Sequence, residues 1–213
     1  MQFSIFKNQL RSWQGSSLII GLNMEVIDSQ LEKIDFIVNP KKLKKKLINN
    51  NFKGEIGKSI SLEILGDNLE FLSIIGLGEK NKMNSDVLRN SLSDCIRKVI
   101  DKEEKVAILM PWDALENNAI YDIAETLRLS TYKDNRFNKQ RDEKIKLEEI
   151  EFLNLENIEN ISFKEVEDVC QGVEFARKLV AAPPNDLTPL EMSKKAIEIA
   201  NEYNLEIQIL EEN

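Results

Sequence analysis

Any chemistry in this chain has to be assembled without histidine, because the 213 residues contain none. That removes a Ser-His-Asp triad, a Cys-His pair and a His-ligated zinc. It also removes the one side chain that titrates near neutrality without perturbation. Lysine, aspartate, glutamate, tyrosine and backbone groups remain. The two cysteines, Cys95 and Cys170, are far apart and neither belongs to a C-x-x-C pair. Each sits in an apolar helical pattern, so both are expected to be buried structural thiols. The 37 acidic residues form no spacing that singles out a carboxylate pair for acid–base work, and no calcium-loop pattern is present. Glu148, Glu149 and Glu151 read as an exposed strand edge or face. No residue is assigned as catalytic, cofactor-binding or metal-ligating.

Two further motifs invite a binding role. Gly76-Leu77-Gly78 follows a strand-like run, but Asn81 stands where a dinucleotide fingerprint needs its third glycine. The expected role is a strand-end turn in which glycine supplies a positive φ. Lys41, Lys42, Lys44, Lys45 and Lys46 form the densest positive run. Leu43 and Leu47, four apart, should face the core and leave the lysines solvated. No aromatic residues interleave to stack bases. With 29 basic against 37 acidic residues the net charge is −8, which argues against non-specific nucleic-acid binding.

The elements that would position these residues follow from periodicity. Strand-like runs occupy Gln2–Phe6, Ser17–Leu22, Ser59–Leu65, Glu70–Gly76, Lys105–Met110 and Lys146–Asn154. Val106–Met110 is continuously apolar, as in a strand covered on both faces. Helical patterns separate the runs. One starts at Pro40 with Asn39 as cap, and one is capped at Ser85 and runs to Ile100, with Leu88, Leu92, Cys95, Ile96 and Val99 on one side. A third covers about Leu115–Leu129, carrying Ile120, Ile123 and Leu127. This alternation predicts an α/β fold with a mixed sheet and helices on both faces. Thr131–Glu143 reads as a surface loop. Leu155–Ser162 is the expected domain boundary. A helix over about Phe163–Ala181 then stops at Pro183-Pro184. Thr188, Pro189 and Glu191 form a capping box for a last helix to about Tyr203. Leu205-Glu206-Ile207-Gln208-Ile209 alternates as a strand. Met1–Lys7 lacks the long apolar region of a secretory signal, and no run approaches the ~18 apolar residues of a membrane span. The expected compartment is therefore the cytoplasm, with no membrane partner.

The most specific string is Ala176-Arg177-Lys178-Leu179-Val180-Ala181-Ala182-Pro183-Pro184-Asn185-Asp186-Leu187-Thr188-Pro189. It holds no nucleophile, base or metal cage, yet it resembles the junction between the N-terminal and catalytic domains of the leucyl (cytosol) aminopeptidases. That family's pattern is A-R-x-L-x-N-x-P-P-N-x-x-T-P, and Ala181 departs from its Asn. Other pieces resemble the family in order: Phe52-Lys53-Gly54-Glu55-Ile56-Gly57-Lys58, then Ile75-Gly76-Leu77-Gly78, then Leu88-Arg89. The last is Ala124-Glu125-Thr126-Leu127-Arg128-Leu129-Ser130-Thr131-Tyr132, with Thr126 where the family has glycine.

The resemblance implies a macro-domain-like N-terminal domain over residues 1–160. A linker helix and Pro-Pro junction would fill 161–184, and the start of a metallopeptidase domain 185–213. It implies a parent enzyme that removes N-terminal residues from peptides with two divalent metal ions, manganese or zinc. It also implies homo-oligomers, hexamers in the family. The family's metal ligands are Lys, Asp and Glu residues that lie downstream of the junction by more than the residues present here, so none is transferred. The 213-residue chain is expected to be inert, its domain serving assembly and access. The alternatives are a nucleotide-binding macro-like module, a nucleic-acid-binding module, or a stand-alone interaction protein.

Overall fold

The structure is a computed structural model that describes residues 1–64, 69–79, 85–112, 119–134, 136, 145–155 and 162–210. Contacts divide the chain into two compact units, Met1–Cys170 and Gln171–Asn213.

The first unit is built on six strands: β1 (Gln2–Ile5), β2 (Ser17–Asn23), β3 (Ser59–Glu63), β4 (Phe71–Gly78), β5 (Lys105–Leu109) and β6 (Glu149–Phe152). They form one sheet in the order β1-β6-β5-β2-β4-β3. All neighbours are parallel except β3 and β4, so the sheet is mixed, as the short β3–β4 connection requires. Every residue of β2 is buried, because this central strand is covered on both faces. Its side chains alternate between two cores. Ile19 joins Ile75, Val106, Ile108, Ile150 and Phe152 on one face. Leu18, Ile20 and Leu22 join Leu72 and Ile74 on the other.

Helices close both faces. On the first face lie α3 (Ser85–Arg97) and α4 (Ala119–Thr131), through Leu88, Leu92, Ile96, Ile120, Ile123 and Leu127. On the second lie α1 (Ile27–Glu32) and α2 (Pro40–Asn49), through Leu31, Leu43 and Leu47. In α2 the Asn39 side chain accepts the Lys42 N–H at 3.1 Å and Pro40 takes the first turn. All five lysines of that segment are exposed while Leu43 and Leu47 are buried. Both cysteines are buried and neither is in a disulfide, and burial pushes the Cys95 thiol pKa up.

The structure differs from the sequence expectations in four places. Helix α1 has no counterpart in the sequence pattern, because six residues with one buried side chain, Leu31, show no period. Ser85 is itself helical rather than the preceding cap. Glu151 is buried rather than exposed, since β6 is an interior strand paired on both sides. Residues 205–210 join no strand ladder. Leu65, Asn81, Leu115, most of the 131–143 segment and residues 156–161 of the expected boundary lie outside the described residues.

In the second unit, α5 (Lys164–Ala181), which begins in the first unit, ends before Pro183. The Pro183 carbonyl accepts the N–H groups of Asp186 and Leu187, each at 2.9 Å. That turn leads to α6 (Pro189–Glu202), whose cap Thr188 accepts the Glu191 N–H at 3.3 Å. The Glu191 carboxylate reaches forward to Lys194 at 2.6 Å. Leu190, Leu205 and Leu210 are exposed.

Candidate functional site

Two of the stretches singled out in the sequence, 52–58 and 75–78, meet in space. Gly76 and Gly78 end β4 against the 52–58 segment. The Gly78 N–H donates to the Gly54 carbonyl and the Gly76 N–H to the Lys58 carbonyl, both at 2.8 Å. Gly78 has φ +68°. A Cβ on Gly76 would lie 2.2 Å from the Glu55 carbonyl oxygen, so a side chain is excluded by backbone. The glycines thus serve a close chain approach and a turn. Glu55 accepts its own N–H and that of Lys53, which lowers its pKa. Arg89, on α3, pairs with Asp122 on α4 at 3.2 Å. Thr126 returns its hydroxyl to the Asp122 carbonyl at 2.7 Å. These pieces hold the domain together and none presents a reacting group.

A polar cluster lies where β1, β6 and β5 run side by side. Lys105 contacts Glu151 at 2.8 Å and Glu149 at 3.2 Å. Glu151 also accepts the Trp13 indole N–H at 3.0 Å, and Ser4 donates to Glu149. Burial works to lower the Lys105 pKa, but its hydrogen bonds with the two carboxylates outweigh that and raise it. The Ser4 hydroxyl, then Lys105, hold Glu149 below the usual carboxylate range against partial burial. Trp13 and Glu151 are buried while Lys105 is exposed, so this is a satisfied network that runs from the core to the surface.

Among the described residues, a concavity lies at the carboxyl ends of β2 and β5. The chain leaving β2 forms α1 and α2 on one face of the sheet, and the chain leaving β5 returns as α4 on the other. Such a switch point opens a crevice in an α/β sheet. A slot of about 50 Å³ is lined by Ile20, Leu22, Gln30, Lys33, Ile34, Leu109, Met110 and Asn154. It continues into an open trough of about 560 Å³ bounded by Gln9, Leu10, Arg11, Ser29, Glu32, Lys33 and Asn154. The Gln30 carboxamide is fixed by Asn23, accepting its N–H at 2.8 Å and donating to its Oδ1 at 3.1 Å. Asn154 holds φ +60°. The enclosed part is far below the ~300 Å³ of small drug-sized sites, so it does not enclose a nucleotide. Nothing in the sequence marks these residues, because only the strand order brings β2 beside β5.

Among the described residues no three His, Cys, Asp or Glu side chains gather into a metal-binding group. No helix among them is long and apolar enough to cross a membrane.

The model of the cytosol aminopeptidase family, N-terminal domain, matches residues 19–141. A probable cytosol aminopeptidase from a Prochlorococcus marinus strain is 54% identical over 212 residues, covering 99% of this chain and 43% of that protein. One from a Synechococcus species is 31% identical over 215 residues, covering 99% and 43%. A solved structure of a tomato leucine aminopeptidase mutant matches with a TM-score of 0.79 at 22% identity, over 96% of this chain and 43% of that one. The crystal structure of cytosol aminopeptidase from Coxiella burnetii matches with 0.64 at 15% identity, over 99% and 40%. At these identities the structural likeness carries the α/β fold. The chain spans 43% of the length of the curated relatives it matches.

Proposed function

The chain belongs to the cytosol aminopeptidase family, through that family's N-terminal domain, and from that premise we propose that it is the non-catalytic, assembly and access region of a metal-dependent aminopeptidase. The observation that carries the reading is 54% identity across 99% of the chain to a probable cytosol aminopeptidase more than twice as long. The reaction is hydrolysis of the N-terminal residue of a peptide, for which two divalent ions, manganese or zinc, held outside this chain would supply an activated water. The described residues do not fit a dinuclear metal group, so no step of hydrolysis is assigned to them. The metal ligands belong to the part of the relatives' length that this chain does not span. The whole enzyme works in the cytoplasm as a homo-oligomer, a hexamer as in the family.

Residues 1–160 are the N-terminal domain on this reading, 161–184 the linker, and 185–213 the opening of the catalytic domain. Leu205, Ile207 and Ile209 alternate as a strand yet stay exposed, which suits a strand whose ladder partners come from outside these 213 residues. Burying such a face contributes ~25 cal/mol per Å² of apolar surface.

Two measurements test the proposal. The purified chain, given a leucine anilide with added manganese or zinc, shows no turnover above a protein-free blank, whereas the longer protein does. Turnover by the 213-residue chain overturns the non-catalytic reading. In hydrogen exchange, amides 205–210 exchange freely in this chain and are protected in the longer protein. Strong protection in the monomeric 213-residue chain overturns the assignment of 185–213.

A further inference from the structure

The outer face of α1 and α2 carries two adjoining rows of opposite charge. Leu43 and Leu47 of α2 are buried in the second core, so Lys41 and Lys45, four apart, take the outer side of that helix. Ile48, 62% exposed, follows on the same side. Glu25, Asp28, Glu32 and Asp35 stand three, four and three apart along the stretch that holds α1, the spacing of one helix side, and Lys33 is the only base among them. All these charged side chains are exposed. Lys44 bridges to Asp28 at 2.6 Å, which sets the acidic row beside the basic one. Arg11 takes Asp35 at 2.9 Å. Glu25, Glu32, Lys41, Lys42, Lys45 and Lys46 have no ion-pair partner among the described residues.

We infer that this face is a self-complementary docking surface for a second copy of the chain. A half-turn about an axis along the seam between α1 and α2 lays the lysines of each copy on the carboxylates of the other. Both rows are then satisfied at once and the pair closes. A foreign polyanion would meet the lysines but be repelled by the carboxylates beside them, so charge complementarity favours a copy of the same surface. The net charge of −8 repels copies at a distance. Near physiological salt the Debye length is about 8 Å, which screens that distant repulsion more than the contacts at the seam. Two short helices bury less than the ~1,200 Å² of stable complexes, so the pair is weak, with a Kd on the order of 100 μM.

The test is sedimentation equilibrium of the 213-residue chain from about 10 μM to about 1 mM in about 0.1 M salt. A monomer–dimer equilibrium is expected, and it should weaken at least about tenfold in about 1 M salt. One variant carries Lys41→Glu and Lys45→Glu, and a second carries Glu25→Lys and Glu32→Lys. These positions are exposed, and unchanged circular dichroism confirms folding. Each reversal occurs twice in a two-fold pair, so either variant alone should dimerise at least about tenfold more weakly. Mixed in equal amounts, the two variants should pair as readily as the parent, because each reversed row then meets its opposite. A parent that stays monomeric to about 1 mM overturns the inference. Double-stranded DNA or phosphatidylserine vesicles binding to that monomer would assign the lysines to those partners instead. Dimers that survive either reversal, or reversed variants that do not recombine, also overturn it. The inference does not rest on the peptidase reading, and its failure leaves the anilide assay untouched.

Discussion

Glu151 lies on an interior strand with its carboxylate held by the Trp13 indole and the Lys105 ammonium. Glu151→Ala leaves a buried indole N–H unpaired and is expected to cost about 2 kcal/mol, read as a lower urea midpoint. Ser4 acts on Glu149 in a pH-dependent way. The folded pKa of Glu149 lies below its unfolded value, so its contribution is present above the unfolded pKa and is lost as pH falls through the folded one. Ser4→Ala is therefore less stable than the parent near pH 7, and the two urea midpoints converge as pH falls below about 4. Glycines sort by what surrounds them. At Gly76 a Cβ meets backbone, and Gly76→Ala is expected to lose about 2 kcal/mol or more. At Gly172, inside α5, a Cβ meets nothing within 4 Å, and Gly172→Ala is expected to gain about 0.5–1 kcal/mol of helix stability. Thermal unfolding of both variants checks the opposite signs. At this scale the sequence was partly legible. Strand-end glycines announce turns, but the acidic run around Glu151 looked solvated because its partner Trp13 is 138 positions away.

Helix α2 shows how an element is read correctly from local pattern. Asn39 before Pro40 marks its start, and Leu43 and Leu47 mark its inner side. Leu43→Ala should cost about 3 kcal/mol by emptying a buried site. Lys45→Glu, on the solvent side, should change stability by less than about 0.5 kcal/mol. Chemical denaturation of the pair measures the contrast. Each of the six strands falls on a run that hydrophobicity marks, with β2 and β4 extending one and two residues past theirs, because buried parallel strands are short, apolar and bounded by polar turns. Helix α1 escaped because it is too short to show a period. The strand order escaped for a different reason. Neighbours such as β2 and β5 are set by packing over long sequence separations, and the crevice at their ends inherits that invisibility.

For the whole molecule, the net charge of −8 opposes the local field of the α2 lysines. Double-stranded DNA should bind only weakly and with steep salt dependence, and sub-micromolar affinity at physiological salt would contradict this. The placement of β1 has a consequence for how the chain is made. β1 leaves the ribosome before β6, yet β6 is its ladder partner among the described residues, and the Ser4 and Glu149 that link them stand 145 positions apart. At ~5–20 residues per second, synthesis delivers that partner roughly 7–30 s later. During that interval Phe3 and Ile5, which later pack on the first core, have no sheet to join. Until β6 emerges to receive it, the nascent β1 segment waits as unpaired apolar chain, open to chaperones.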